Sequence, residues 1–219
     1  MQIFAAPTNY ISYLIGDRKV NRKIGIYSSV INVLSVAAFL LLLIIGNDYG
    51  SFLVCMFIAF SFVPMMCAYS YYSNSDKKVA GYMAVAFSSI YAVFILLVYF
   101  AQVTVVVLNE LNEQASQIID YSKFGLFFNY DLLGYGIMAL ATSFAGLTID
   151  VKTKRDKLLR WLLIIHGVFF ISCFIMPMLG LFSPDMGSAD WIGVAALGFW
   201  CVYFIPIGVL SVLYFKDKN

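Results

Sequence analysis

Charge is what this chain has least of. Only 12% of its 219 residues are Asp, Glu, Lys or Arg, about half the share in an ordinary soluble domain. Histidine is scarcer still, and His166 is the single one. One histidine excludes haem or metal ligation by a pair of histidines within one subunit. The four cysteines, Cys55, Cys67, Cys173 and Cys201, stand in apolar runs without CxxC or Cys/His spacing. That pattern gives neither a zinc site nor a disulfide framework, and the thiols read as small buried hydrophobes. The sequence has no HExxH, no GxSxG and no phosphate-binding glycine loop, the motifs that would announce metalloprotease, serine hydrolase or nucleotide chemistry. No stretch interleaves basic and aromatic residues as a nucleic-acid surface does. No cofactor, no metal and no nucleic-acid partner are therefore expected.

What the chain has instead is hydrophobic length. Apolar residues make up 62% of it, and the mean hydropathy is +0.88. No soluble fold of this size buries so much apolar surface, so the solvent must be lipid. The expected fold class is all-α: a polytopic integral membrane protein with six transmembrane helices and both termini cytoplasmic. The spans fall at residues 24–45, 51–72, 79–109, 132–149, 158–182 and 191–215, forming a single transmembrane domain. Residues 1–23 read as a cytoplasmic or interfacial segment, because no basic n-region marks them as a cleaved signal. Residues 110–131 form an external loop.

The basic residues test this count. With six spans, every Lys and Arg except Lys123 lies on the side of the termini. Short loops rich in Lys and Arg stay in the cytoplasm, so that side is cytoplasmic and the membrane is the plasma membrane. The opposite side is acidic, with Asp48, Glu110, Glu113, Asp120, Asp131, Asp185 and Asp190. Asp131 stands at the start of span four, where a helix N-terminus suits it. No acidic residue is then left inside a span, which argues against a proton-coupled carrier.

Residues 79–109 run without an ionisable acid or base. As one helix they would reach about 46 Å, beyond the roughly 30 Å hydrocarbon core. Ser88, Tyr91, Tyr99, Gln102 and Asn109 fall within about an 80° arc of that helix. The stripe reads as the wall of a cavity open to the outside, or as a strut for the external loop. His166 lies six residues beyond Arg160, about 9 Å inward from the cytoplasmic boundary. It reads either as a neutral ring bonded to a neighbouring helix or as a substrate contact. Trp200 lies well inside span six, where its N–H needs a partner. Gly134, Gly136, Ala139, Ala141, Ser143, Ala145 and Gly146 give span four a small-residue surface for close packing, most simply on span three.

These features point first to binding or transport of a small molecule or lipid through a cavity lined by the third span. Tyr91, Tyr99, Gln102, Asn109, His166 and Trp200 are the expected ligand contacts. A regulatory or accessory membrane subunit is the alternative, and an intramembrane lipid-modifying enzyme the third reading. An enzyme is disfavoured because converging titratable groups are lacking. The expected partners are the bilayer and either a small apolar ligand or another membrane protein.

Overall fold

A computed structural model describes residues 8–182 and 190–218 of the chain. Most of the predicted 183–190 link, including Asp185, lies outside the described residues, as do the first seven residues. Eight α-helices follow in order: α1 (Thr8–Ile44), α2 (Asp48–Tyr71), α3 (Lys78–Thr104), α4 (Glu113–Ile119), α5 (Leu126–Thr148), α6 (Lys154–His166), α7 (Phe169–Met178) and α8 (Asp190–Lys216). Among the described residues there is no strand. Six helical units are long and apolar enough to cross a membrane, with α6 and α7 together forming the fifth. The chain is an all-α, multi-pass membrane protein.

Short polar residues set the boundaries. The Asn47 carboxamide accepts the Gly50 N–H at 2.8 Å and starts α2. Asn112 does the same for α4 through the Ala115 N–H at 2.9 Å. Thr153 and Asp156 form a reciprocal capping box at the start of α6, so donors that would otherwise be orphaned are satisfied.

Three boundaries differ from the hydropathy reading. The 79–109 run is not one helix. Its α-helical part ends at Thr104, a 3-10 turn follows at Val106–Leu108, and Asn109 closes that turn at φ 54°. Asn is one of the few residues that adopt this left-handed backbone readily. Span four starts at Leu126 rather than at residue 132. Residues 126–131 include Asn129, Tyr130 and Asp131, which lower the local hydropathy although the helix runs through them. Span five is broken at Gly167–Val168, where successive N–H groups bond the carbonyl three residues back: Gly167 to Ile164, Val168 to Ile165, Phe170 to Gly167. A tight turn in mid-span results. α5 is close at this point, and a Cβ on Gly167 would meet the Ser143 side chain at 2.9 Å.

The spans form a closed ring in chain order. α1 packs on α2, α2 on α3, α3 on α5, α5 on α6 and α7, α6 on α8, and α8 back on α1. α2 also reaches α5 across the middle. The predicted packing of span four on span three is present: Gly134 lies against Phe94 and Ile95. Gly146, however, meets Arg160 and Ile164 of α6, so the small-residue surface serves two neighbours. Phe62, Tyr91, Ile95, Met138 and Phe204 fill the centre, each at or below 1% exposure. Leu34, Leu41, Phe60, Leu97 and Phe100 point outward and are exposed, as a lipid-facing surface requires.

Candidate functional site

One end of the bundle carries Asp48, Glu110, Glu113 and Asp120, and the other Lys77, Lys78, Lys152 and Arg155. They are called here the acidic and basic ends. α3 presents Ser88, Tyr91, Tyr99 and Gln102 to the interior, all buried, with Tyr99 and Gln102 toward the acidic end. They share a face because their spacings repeat the helical period. Gln102 donates Nε2–H to the Ile119 carbonyl at 2.9 Å and to its own helix at Val98. Its Oε1 accepts the Tyr121 N–H at 3.0 Å. Gln102 therefore pins the end of α4 and the turn after it to the top of α3. Of the two sequence readings, this contact is the strut.

The pinned turn delivers Tyr121 into the interior. Burial pushes its phenol well above the ordinary tyrosine range, and the nearby Asp131 charge adds to this. The hydroxyl keeps its proton and donates it to Asp131 Oδ2 at 3.3 Å. Asp131 is thus not at a helix end. It is the sixth residue of α5, about 7.5 Å along it, and only 3% exposed. The reading that no acidic residue lies inside a span is corrected. The cause is the early start of α5, which carries Asp131 below the loop that covers it.

One helical turn further in, Tyr135 shares the Asp131 face and places its hydroxyl 3.6 Å from Cys55 Sγ on α2. Tyr91 and Tyr135 stand edge to face with centroids 5.7 Å apart. Phe52 stacks on Tyr99 at 5.5 Å and meets Tyr121 at 5.6 Å. Ser51 lies one turn before Cys55 on α2 and is also buried. The cluster therefore draws on α2, α3, α5 and the turn at Tyr121–Lys123. Three of its buried polar atoms have no hydrogen-bond partner: Ser51 Oγ, Tyr91 OH and Asp131 Oδ1. Buried polar atoms are nearly always paired, so each such orphan carries a cost of about 1–3 kcal/mol.

The second polar group has the opposite character. The Trp200 indole donates to His166 Nε2 at 3.1 Å. Indole nitrogen is a donor only, so Nε2 is the acceptor and the proton sits on Nδ1. Nδ1–H then donates to Thr142 Oγ1 at 2.7 Å, and the Thr142 hydroxyl donates to Ala139 O at 2.8 Å. Every member is satisfied. His166 is a neutral ring bridging α8 to α5, and Trp200 has the partner its N–H requires.

The two groups are joined by aromatic contact. Tyr135 meets Tyr91 on one side and Trp200 on the other, at 5.3 Å and edge to face. Trp200 in turn stacks on Phe204 at 5.1 Å. Of the six residues expected to contact a ligand, Tyr91, Tyr99 and Gln102 lie in the acidic-end cluster, and His166 and Trp200 in the adjoining pair. Asn109 is off the stripe and exposed, because the helix ends before it. Asp131, Tyr121, Tyr135, Cys55 and Ser51 are not among the ligand contacts expected from the sequence, which places Asp131 at a helix N-terminus and reads Cys55 as a buried hydrophobe. The signal for two of them is the four-residue spacing of Asp131 and Tyr135, which puts both on one helical face.

Among the described residues, no group of three His, Cys, Asp or Glu could hold a metal ion. Two shallow apolar grooves of about 380 and 390 Å³ lie elsewhere, one along α7 and one between α1 and α2. Comparison with protein-family models, with curated proteins and with solved structures finds no match for this chain.

Proposed function

We propose that this protein binds, and carries across or within the plasma membrane, a small hydrogen-bonding molecule held between α2, α3 and α5. The observation that supports the reading most is the trio of unpartnered buried atoms, Ser51 Oγ, Tyr91 OH and Asp131 Oδ1. A structural polar network tends toward full satisfaction, as the His166 group does, whereas a binding site keeps polar groups in reserve for its guest. The aromatic walls supplied by Tyr91, Tyr99, Tyr121 and Tyr135 suit a small, mainly apolar guest with one polar end. With the basic end cytoplasmic by the distribution of Lys and Arg, this site belongs to the outer half of the membrane. The α4 segment pinned by Gln102 is then its cover on the external side.

The test is ligand-dependent thermal stability of the purified protein across a broad panel of small molecules and lipids. At least one compound is expected to raise the unfolding temperature in a saturable way, as linkage requires. Tyr91→Phe and Asp131→Asn should weaken that effect, while Ser172→Ala on α7 should not. No stabilisation by any member of the panel would reject binding as the function.

A further inference from the structure

The chemistry of the acidic-end cluster narrows the guest further, given that the cluster is a binding site at all. We propose that the guest carries a single positive charge as a small ammonium group, seated against Asp131. Among the described residues, Asp131 is the only acidic side chain buried within the six spans apart from Asp156, which caps α6 at the basic end. Its Oδ2 is engaged by Tyr121, and its Oδ1 faces the interior without a partner. Among the described residues no Lys or Arg acts on it; the polar groups that do are the hydroxyls of Tyr99 and Tyr121. A carboxylate taken out of water without a partner is expensive, and it is met either by a proton or by a paired cation. Neither of the two described ion pairs, Lys77–Asp150 and Arg155–Asp217, involves this residue. A cationic guest supplies the missing charge.

The hydrogen-bonding inventory favours ammonium over a bare metal ion. A metal ion of the hard type asks for about six oxygen ligands, and Ser51, Tyr91 and Asp131 offer three free oxygens. An –NH3+ group has three N–H donors, one of which the free Asp131 Oδ1 takes. The tyrosine rings around Asp131 add aromatic quadrupoles, which favour a cation over a neutral guest. A neutral hydroxyl guest can donate to Asp131 Oδ1 and accept from a neighbouring hydroxyl, but it brings no positive charge to a buried carboxylate. Gln102 does not enter this site, because both ends of its carboxamide are already committed to the covering segment.

The experiment compares ethylammonium chloride, sodium chloride at equal ionic strength, and ethanol as the neutral isostere. Each is titrated against the full chain in detergent or lipid nanodiscs, with unfolding temperature as the readout. Ethylammonium is expected to stabilise saturably where the other two do not. Asp131→Asn should abolish the response, while the Tyr121 hydroxyl keeps an oxygen to donate to. Tyr91→Phe, which deletes one hydroxyl and keeps the ring, should weaken the apparent affinity about tenfold, the equivalent of one lost hydrogen bond to a charged group. An equal response to sodium, a response to ethanol alone, or a wild-type response in Tyr91→Phe overturns the assignment. Stabilisation by falling pH with no response to ethylammonium also overturns it, identifying a proton as the only cation taken up. If neutral members of the broad panel bind while ethylammonium does not, small-molecule binding stands and only its cationic class falls. If nothing binds, both fall.

Discussion

Trp200 and His166 lie 34 residues apart on different spans, yet the indole N–H of one meets Nε2 of the other at 3.1 Å. That one bond decides the tautomer of the only histidine in the chain, and through Thr142 it ties α8 to α5. Removing the ring leaves a buried indole donor without an acceptor, at a cost of about 1–3 kcal/mol before any cavity is counted. His166→Ala should therefore lower the unfolding temperature markedly. In the His166→Ala background, Trp200→Phe should cost less than it does in the wild type. A double-mutant cycle on thermal or denaturant stability reads this coupling. Additive effects would show that the bond contributes nothing.

Gln102 is expected to act on the covering segment rather than on the bundle. Gln102→Leu removes the acceptor for Tyr121 N–H and the donor to Ile119 O, a loss of about 1–3 kcal/mol confined to that attachment. Amide exchange in Glu113–Lys123 should accelerate at least tenfold, while α2 and α5 keep their protection. Uniformly faster exchange throughout the bundle would contradict this local role.

Gly146 and Gly193 offer a matched comparison. A Cβ on Gly146 would approach Ile164 Cγ1 to 2.8 Å and the Arg160 carbonyl to 3.0 Å, while a Cβ on Gly193 meets nothing within 4 Å among the described residues. Gly146→Ala should destabilise by about 1–3 kcal/mol through overpacking against backbone. Gly193→Ala should be neutral or slightly stabilising, because alanine favours helix. Melting temperatures of the two variants, measured side by side, check the contrast.

At the basic end, Lys77 pairs with Asp150, and Asn74 donates to the same carboxylate. The Lys77 ammonium, chiefly through its hydrogen bond, holds the Asp150 carboxyl below its ordinary range against the opposing effect of burial, and the Asn74 amide adds a smaller part. A depressed folded-state value means that this contribution is present above the ordinary carboxylate range. It is lost as pH falls through the lower, folded value. The pair is partly solvent-exposed, so its worth is at most about 1 kcal/mol. Lys77→Met should lower stability at neutral pH by that amount, and the difference from wild type should vanish in acid. Thermal unfolding across a pH series reads the convergence.

Much of this architecture was legible in the sequence, and the rest was hidden for specific reasons. The six spans follow from hydrophobic length alone, because lipid leaves a chain few other ways to satisfy its backbone. The interior placement of Tyr91, Tyr99 and Gln102 follows from helical spacing. Asp131 was misplaced because hydropathy cannot distinguish a carboxylate at the membrane surface from one covered by a loop. Only the fold of residues 110–125 brings Tyr121 over it. The needs of His166 and Trp200 were each visible, but not that each answers the other. That requires knowing which depths of spans five and six face one another. Asn109 was lost for a local reason: the helical stripe assumes a helix that stops at Thr104.

The ring order of the spans also bears on how the molecule assembles. Five of its six seams join spans next to each other in the chain, so each helix entering the bilayer finds its neighbour already there. The seam between α1 and α8 is the exception, and it closes last. There Phe215 fills the space above Gly25, and Val33 presses into Gly208. Until α8 arrives, Trp200 is absent and the acceptor nitrogen of His166 waits unpaired. Insertion of the final span is therefore the step at which the bundle becomes a closed barrel of helices. A ribosome stalled before residue 200 would present an open, protease-sensitive crescent.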